Sequence, residues 1–192
     1  MKRVIQTTAA LALAVALSAC AGDTTPDATR TTGTGGAVGT TGDINADRDF
    51  LEEQLAMSTA EVELGRLAQE RGQHADVKEF GAMMVRDHQM ATDELRPLAS
   101  RITTGQPLST DSDDHRDLME DLSKLSGLEF DRKYIDEMID DHQDGVKDLQ
   151  DKAENAADPD VKQWAAKRLP SIRQHLERAR AIKETLDNAG TN

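Results

Sequence analysis

Glu61, His88, His142 and His175 are side chains that bind metals or move protons, and each interrupts the apolar stripe of a long helical segment. The first stripe is Phe50, Gln54, Met57, Glu61, Leu64, Ala68, and the second is Val77, Phe80, Met84, His88, Ala91, Leu95, Leu98. The third is Tyr134, Met138, His142, Gly145, Leu149. The fourth is Val161, Trp164, Arg168, Ile172, His175, Ala179, Ile182, Leu186. A buried polar group is costly unless partnered. At 1.5 Å per residue, each of the four lies about 18–24 Å from the end of its helix, so all should meet in one central layer. The plainest shared partner is a single metal ion. Three imidazoles and a carboxylate suit zinc, copper, iron or manganese as divalent ions, and spacing does not choose among them. The competing arrangement is a hydrogen-bonded core layer in which Glu61 pairs with one or two of the histidines.

Neighbouring residues extend the pattern. Asp87 and Asp141 are placed to orient the histidines as acceptors behind them. Met84 and Met138 each precede a core histidine by one turn and offer either a thioether or core filling. The string Met84-Val-Arg-Asp-His-Gln echoes Met138-Ile-Asp-Asp-His-Gln, which suggests similar demands on two helices beside one site. Glu63 lines up with a solvated face, and His74 and His115 are expected to be exposed. There is no Gly-rich phosphate loop, nucleophile elbow or Cys-His pair, and no general base beyond Glu61. The chain therefore reads first as a metal-binding protein, with a structural or protein-interaction module of the envelope as the alternative and an enzyme using the bound metal with water or oxygen ranked last.

The elements that must position these residues are helical throughout, because apolar residues recur at three and four with no run of alternation. With 3% aromatics and 31% charged residues the composition favours a helical bundle over a sheet. Four long helices are expected at about 46–71, 76–102, 126–156 and 159–188, with a short one near 112–125. Gly72 should close the first helix, Ser126 and Glu129 should form a capping box, and Asp158-Pro159 should open the last helix. Pro97 should kink or end its helix early, and Pro170 should bend its own. Tight turns at Gly72 and Asp158 predict two antiparallel hairpins. The stretch 103–125 is long enough to cross the bundle. The predicted fold is all-α, a ferritin-like four-helix bundle with one long crossover carrying a short extra helix.

Ahead of the bundle, residues 1–19 form a signal peptide, with Lys2 and Arg3 before an apolar run too short to span a bilayer. Leu17-Ser-Ala-Cys20 resembles a bacterial lipobox, which implies cleavage before Cys20 and lipidation of it. Ala21 after the cysteine resembles Gram-negative lipoproteins of the outer membrane. The expected address is the periplasmic side of that membrane, with the lipid on Cys20 as the membrane partner. Residues 20–43 are Thr- and Gly-rich and read as a flexible tether of roughly 25 Å. The domain proper is 44–192. Loss of Lys2 and Arg3 takes the formal charge from −13 to −15, which argues against nucleic acid as a partner.

Several segments carry a family resemblance. Ala60-Glu-Val-Glu-Leu-Gly-Arg-Leu-Ala68, Met84-Val-Arg-Asp-His88, Leu125-Ser-Gly-Leu-Glu-Phe-Asp-Arg-Lys-Tyr134, Asp141-His142 and Leu169-Pro-Ser-Ile-Arg-Gln-His-Leu176 resemble the bacterial exported family known as domain of unknown function 4142. The resemblance spans about Asp49 to Leu186 and implies a ferritin-like fold. It also implies that Glu61, His88, His142 and His175 fall at the family's recurring polar positions. The chain departs from the di-iron pattern of ferritins, which needs Glu-x-x-His on two helices. Val85 and Ile139 stand where those glutamates would be, so one metal or none fits better than a di-iron store.

Overall fold

The apolar stripes form helices close to the expected bounds. The structure is a computed structural model, and it describes residues 41–103 and 112–189. The chain runs α1 (Thr41–Arg71), α2 (Ala75–Ile102), α3 (Asp113–Ser123), α4 (Gly127–Asn155) and α5 (Pro159–Ala189). The expected signal peptide, Cys20 and all but the last residues of the tether lie outside the described residues. Among the described residues there is no strand, and no helix is long and apolar enough to cross a membrane. Helix α1 starts at Thr41 and so takes in the end of the segment expected to be tether.

The two hairpins α1–α2 and α4–α5 each pack along their length, and α2 with α5 and α1 with α4 complete the four-helix bundle. Side chains at the ends fix the direction of the crossover. At one end, Arg101 of α2 pairs with Asp158 at the α4–α5 turn at 3.2 Å. At the other, Asp131 near the start of α4 holds the α1–α2 turn. The chain must therefore travel the bundle's length between α2 and α4, which is the ferritin-like arrangement.

A reciprocal device locks the turns. Asp131, fully buried, accepts from the backbone N–H of Gln73 at 2.9 Å and of His74 at 2.8 Å. Asp47 of α1, equally buried, accepts from the N–H of Asp158 at 2.7 Å and from Lys152 Nζ at 3.2 Å. Each turn is thus capped by a carboxylate from the first helix of the other hairpin. Charge-assisted bonds of this kind satisfy backbone donors that a helix start leaves free.

Several local expectations change. Ser126 precedes α4 but its side chain makes no cap bond, because Gly127 adopts a left-handed φ of 64° and turns the entry away from a capping box. Gly72 follows the last residue of α1 as expected, its N–H donating to Ala68 O at 3.0 Å, but without a positive φ; a Cβ there would lie 2.6 Å from Ala68 O and 3.3 Å from Val77 and the Asp131 carboxylate, so close approach is what calls for glycine. Pro97 does not end its helix early: α2 runs through it to Ile102, as α5 runs through Pro170. Both rings sit on exposed faces, where water can take up the carbonyl they leave free. Asp158 does cap α5, accepting from Asp160 and Val161 N–H at 2.8 and 3.2 Å. Helices α1 and α2 touch backbone to backbone where Gly65 faces Gly81; a Cβ on either would lie 2.6 Å from the other's carbonyl oxygen.

The core is divided. One apolar cluster holds Leu64, Phe80, Met84, Tyr134, Met138 and Ile182 with their neighbours. The other holds Phe50, Leu51, Leu95, Leu149, Trp164 and Ile172 with theirs. On every long helix, the polar residue singled out by the stripe falls between the two clusters.

Candidate metal centre

His88, His142 and His175 arrive from α2, α4 and α5 at this divide, each 1–2% exposed. One ring nitrogen from each lies within 4.8 Å of the others. The ring centroids are 5.8 Å apart for His88–His142, 5.5 Å for His88–His175 and 5.4 Å for His142–His175.

In two of the three rings one nitrogen is engaged in a hydrogen bond. His142 Nδ1–H donates to the Met138 carbonyl at 2.8 Å, one turn back on its own helix. His175 Nε2–H donates to Asp87 Oδ2 at 3.0 Å, across from α5 to α2. These bonds fix the tautomers and leave His142 Nε2 and His175 Nδ1 as bare lone pairs without partners. Both nitrogens of His88 are also unpartnered. Asp87 is itself held by Arg86, Nε to Oδ1 at 2.8 Å, while Arg168 donates to its backbone carbonyl at 2.9 Å. The Arg86 and His175 bonds outweigh partial burial and keep the Asp87 carboxyl below its usual range.

Burial holds all three imidazoles neutral. It pushes His88 well below the ordinary histidine value, aided by His142, His175 and Arg168. It takes His142 down to about 3, aided by His175 and opposed by the Met138 bond. His175 is lowered by burial despite Asp87. Neutral imidazole is the form that ligates metal.

Glu61 stands apart from the three-nitrogen cluster. It is 1% exposed, and its Oε1 lies 3.6 Å from His142 Nδ1, the nitrogen already committed to Met138. That separation is too long for a hydrogen bond, so the competing Glu61–histidine pairing is not formed, and the clustered ligand set is the three histidines without the expected Glu61. Neither Glu61 oxygen has a partner, and burial, with repulsion from Asp141, drives its carboxyl well above the usual range. Tyr134 OH, in the same core region, is also unpartnered.

The other expected residues sort by geometry. Asp87 orients a site histidine, but it is His175 of a different helix rather than the adjacent His88. Asp141 makes no hydrogen bond to any of the three among the described residues; it lines a cavity of about 10 Å³ beside His88 and His142, the lower limit for one water. Met84 and Met138 are fully buried in the apolar cluster, and Met138 serves the site through its carbonyl. His115 is not exposed as expected: it is half-buried against α1, with Nε2 3.3 Å from Glu63. His74 caps α2, its Nδ1 accepting from the Asp76 N–H at 3.2 Å. The stripe missed Asp47 and Asp131, which are buried at helix ends, three residues before Phe50 and Tyr134. The rule that found the histidines would have found them if applied beyond the helix centres.

The chain belongs to the family described as a domain of unknown function, DUF4142, whose profile matches residues 33–182. Solved structures share its fold. CopM in the Cu(I)-bound form superposes with a TM-score of 0.62 at 17% identity, over 72% of this chain and 96% of that one. CopM in the Cu(II)-bound form gives 0.62 at 16%, with the same coverage. A DUF305 fragment from Deinococcus radiodurans gives 0.62 at 19% identity, over 72% of this chain and 95% of that one. At these identities the likeness establishes the fold. No curated protein matches the chain.

Proposed function

We propose that this chain binds one transition-metal ion through His88, His142 and His175, with copper the first candidate, and handles that metal in the bacterial envelope. The observation that carries the reading is the cluster of three imidazoles: buried, neutral, each with at least one nitrogen without a partner, and two of them fixed by a hydrogen bond at the other nitrogen. Metal-ligating histidines characteristically donate their other N–H to a carboxylate or carbonyl. Each buried polar atom left unpartnered costs about 1–3 kcal/mol. The four nitrogens and two Glu61 oxygens together would then cost about as much as the ~5–15 kcal/mol net stability of a domain. A cation shared by one nitrogen of each histidine removes about half of that cost.

Imidazole donors suit copper, zinc and iron, and copper(II) heads the affinity order of divalent ions. That a protein of this fold has copper-bound forms supports trying copper first. The Leu17–Cys20 resemblance to a lipobox and the acidic chain support a lipid-anchored envelope protein without nucleic-acid partners.

Calorimetric titration of the domain with Cu(II) and Zn(II), beside a His142→Ala variant, tests the reading. Binding of one equivalent of one ion, weakened at least a hundredfold in the variant, is the expected result. Equal, weak heats in both proteins would leave the layer as a structural feature of an interaction module.

A further inference from the structure

The buried histidine layer needs a way in, and one side of the bundle is built differently from the rest. Helices α1, α3 and α4 enclose a groove of about 490 Å³. Its walls carry Glu53, Glu61, Asp114, Glu137, Asp141, Asp144 and Asp148, and no lysine or arginine. Glu137 and Asp144 have neighbouring partners in Lys133 and Lys147. Glu53, Asp141 and Asp148 form no ion pair among the described residues. Burial, then repulsion from Asp148, raises Glu53, and burial, then repulsion from Asp144 and Asp151, raises Asp148.

Acidic side chains on a surface are ordinary. The floor of this groove is not: Glu61 lines it while 1% exposed, with both carboxylate oxygens unpartnered. Its Oε1 lies 3.6 Å from the His142 ring. Asp141 and Met57 line both this groove and the small cavity that touches His88 and His142. Carboxylate oxygens thus line the groove as far as Glu61 and Asp141, and Asp141 borders the small cavity beside His88 and His142. A cleft lined by one sign of charge, with low-dielectric walls, concentrates the opposite ion and speeds its arrival.

We propose that the α1–α3–α4 groove is the loading path of the site, along which a metal cation passes from the Glu53/Asp148 mouth to Glu61 and Asp141 and then to the histidines. The proposal rests on the metal-binding reading above. It gives Glu61 a role distinct from that of a permanent ligand. Its carboxyl receives the cation in transit and gives up its proton to solvent as the cation arrives, and its position on the Nδ1 side of His142 explains why it stands outside the histidine cluster. Helix α3 supplies one wall, tied to α1 through His115 and Glu63 at 3.3 Å.

The test is stopped-flow loading of the metal-free domain with Cu(II) alone, followed by quenching of Trp164, the single tryptophan, which lines the adjoining cavity. Glu53→Gln/Asp148→Asn should slow loading at least about fivefold at low ionic strength, and the difference should shrink as salt screens the groove. Glu70→Gln/Glu79→Gln, with the same net charge but changes on exposed faces elsewhere, should load within about twofold of the parent. Ala60→Leu, which narrows the groove wall without changing charge, should slow loading and chelator-driven release by a similar factor. Equal slowing by the groove and control pairs would reduce the effect to overall charge and overturn the proposal. So would unchanged rates in all three variants. A parent that takes up no Cu(II) would instead defeat the metal-binding reading itself.

Discussion

At the scale of single residues, the site is defined by which buried groups are satisfied and which are not. Asp87 holds His175 from behind at 3.0 Å, so Asp87→Asn keeps the shape but weakens the acceptor and frees the tautomer. Metal affinity should fall about 10–100-fold, read by competition with a chromophoric chelator. Unaltered affinity would remove Asp87 from the site. Glu61 makes the opposite kind of prediction for the metal-free domain. Its folded pKa lies above its unfolded value, so the folded state holds a proton that the unfolded chain releases above about 4.5. Stability is thus fully present below that pH and declines as pH rises towards the folded value. Glu61→Gln should therefore raise the melting temperature at pH 8 and leave it unchanged at pH 4. A variant equally stabilised or destabilised at both would show that the carboxyl's burial is not what costs stability. Much of this scale was legible beforehand. The three histidines interrupt apolar stripes near mid-helix, and that is visible in a linear chain. The reach of Asp87 to α5 was not, because a stripe gives the face of a helix and not the neighbour it meets.

At the scale of elements, the bundle depends on close contacts that sequence patterns report poorly. Gly65 and Gly81 let α1 and α2 touch at the backbone. Gly81→Ala places a methyl 2.6 Å from the Gly65 carbonyl oxygen and should cost roughly 1–3 kcal/mol in chemical denaturation despite alanine's better helix propensity. Gly145→Ala meets nothing nearer than Ile172 at 3.6 Å and should stabilise by up to about 1 kcal/mol. Similar responses at both sites would contradict the close-crossing account. Helix existence, hairpin pairing and the crossover all followed from periodicity, turn residues and loop length. The Ser126 capping box did not form, since Gly127 takes a backbone angle that the pattern of side-chain types does not encode. Pro97 did not end α2 because it lies on the solvent-facing side of a helix anchored by tertiary packing.

At the scale of the whole molecule, two apolar clusters flank one polar layer, and stability should respond to what that layer holds. In the metal-free domain the three histidines are depressed below 6.5, so the folded state binds fewer protons than the unfolded chain as the solution is acidified. Stability is present above about pH 6.5 and is lost as pH falls, for His142 down to about 3. Denaturant unfolding from pH 7 to pH 4 should show this loss, with a shallower slope in His142→Asn. A flat profile would mean that the histidines are not neutral and buried in solution. The most direct measurement is the metal content of the domain beginning at Gly22, purified from a periplasm without an affinity tag and read by inductively coupled plasma mass spectrometry. The account predicts close to one equivalent of a single transition metal, copper first, and its loss in His88→Ala. Absence of metal, together with failure to load when ions are supplied, would contradict it and leave His88, His142 and His175 as a purely structural layer.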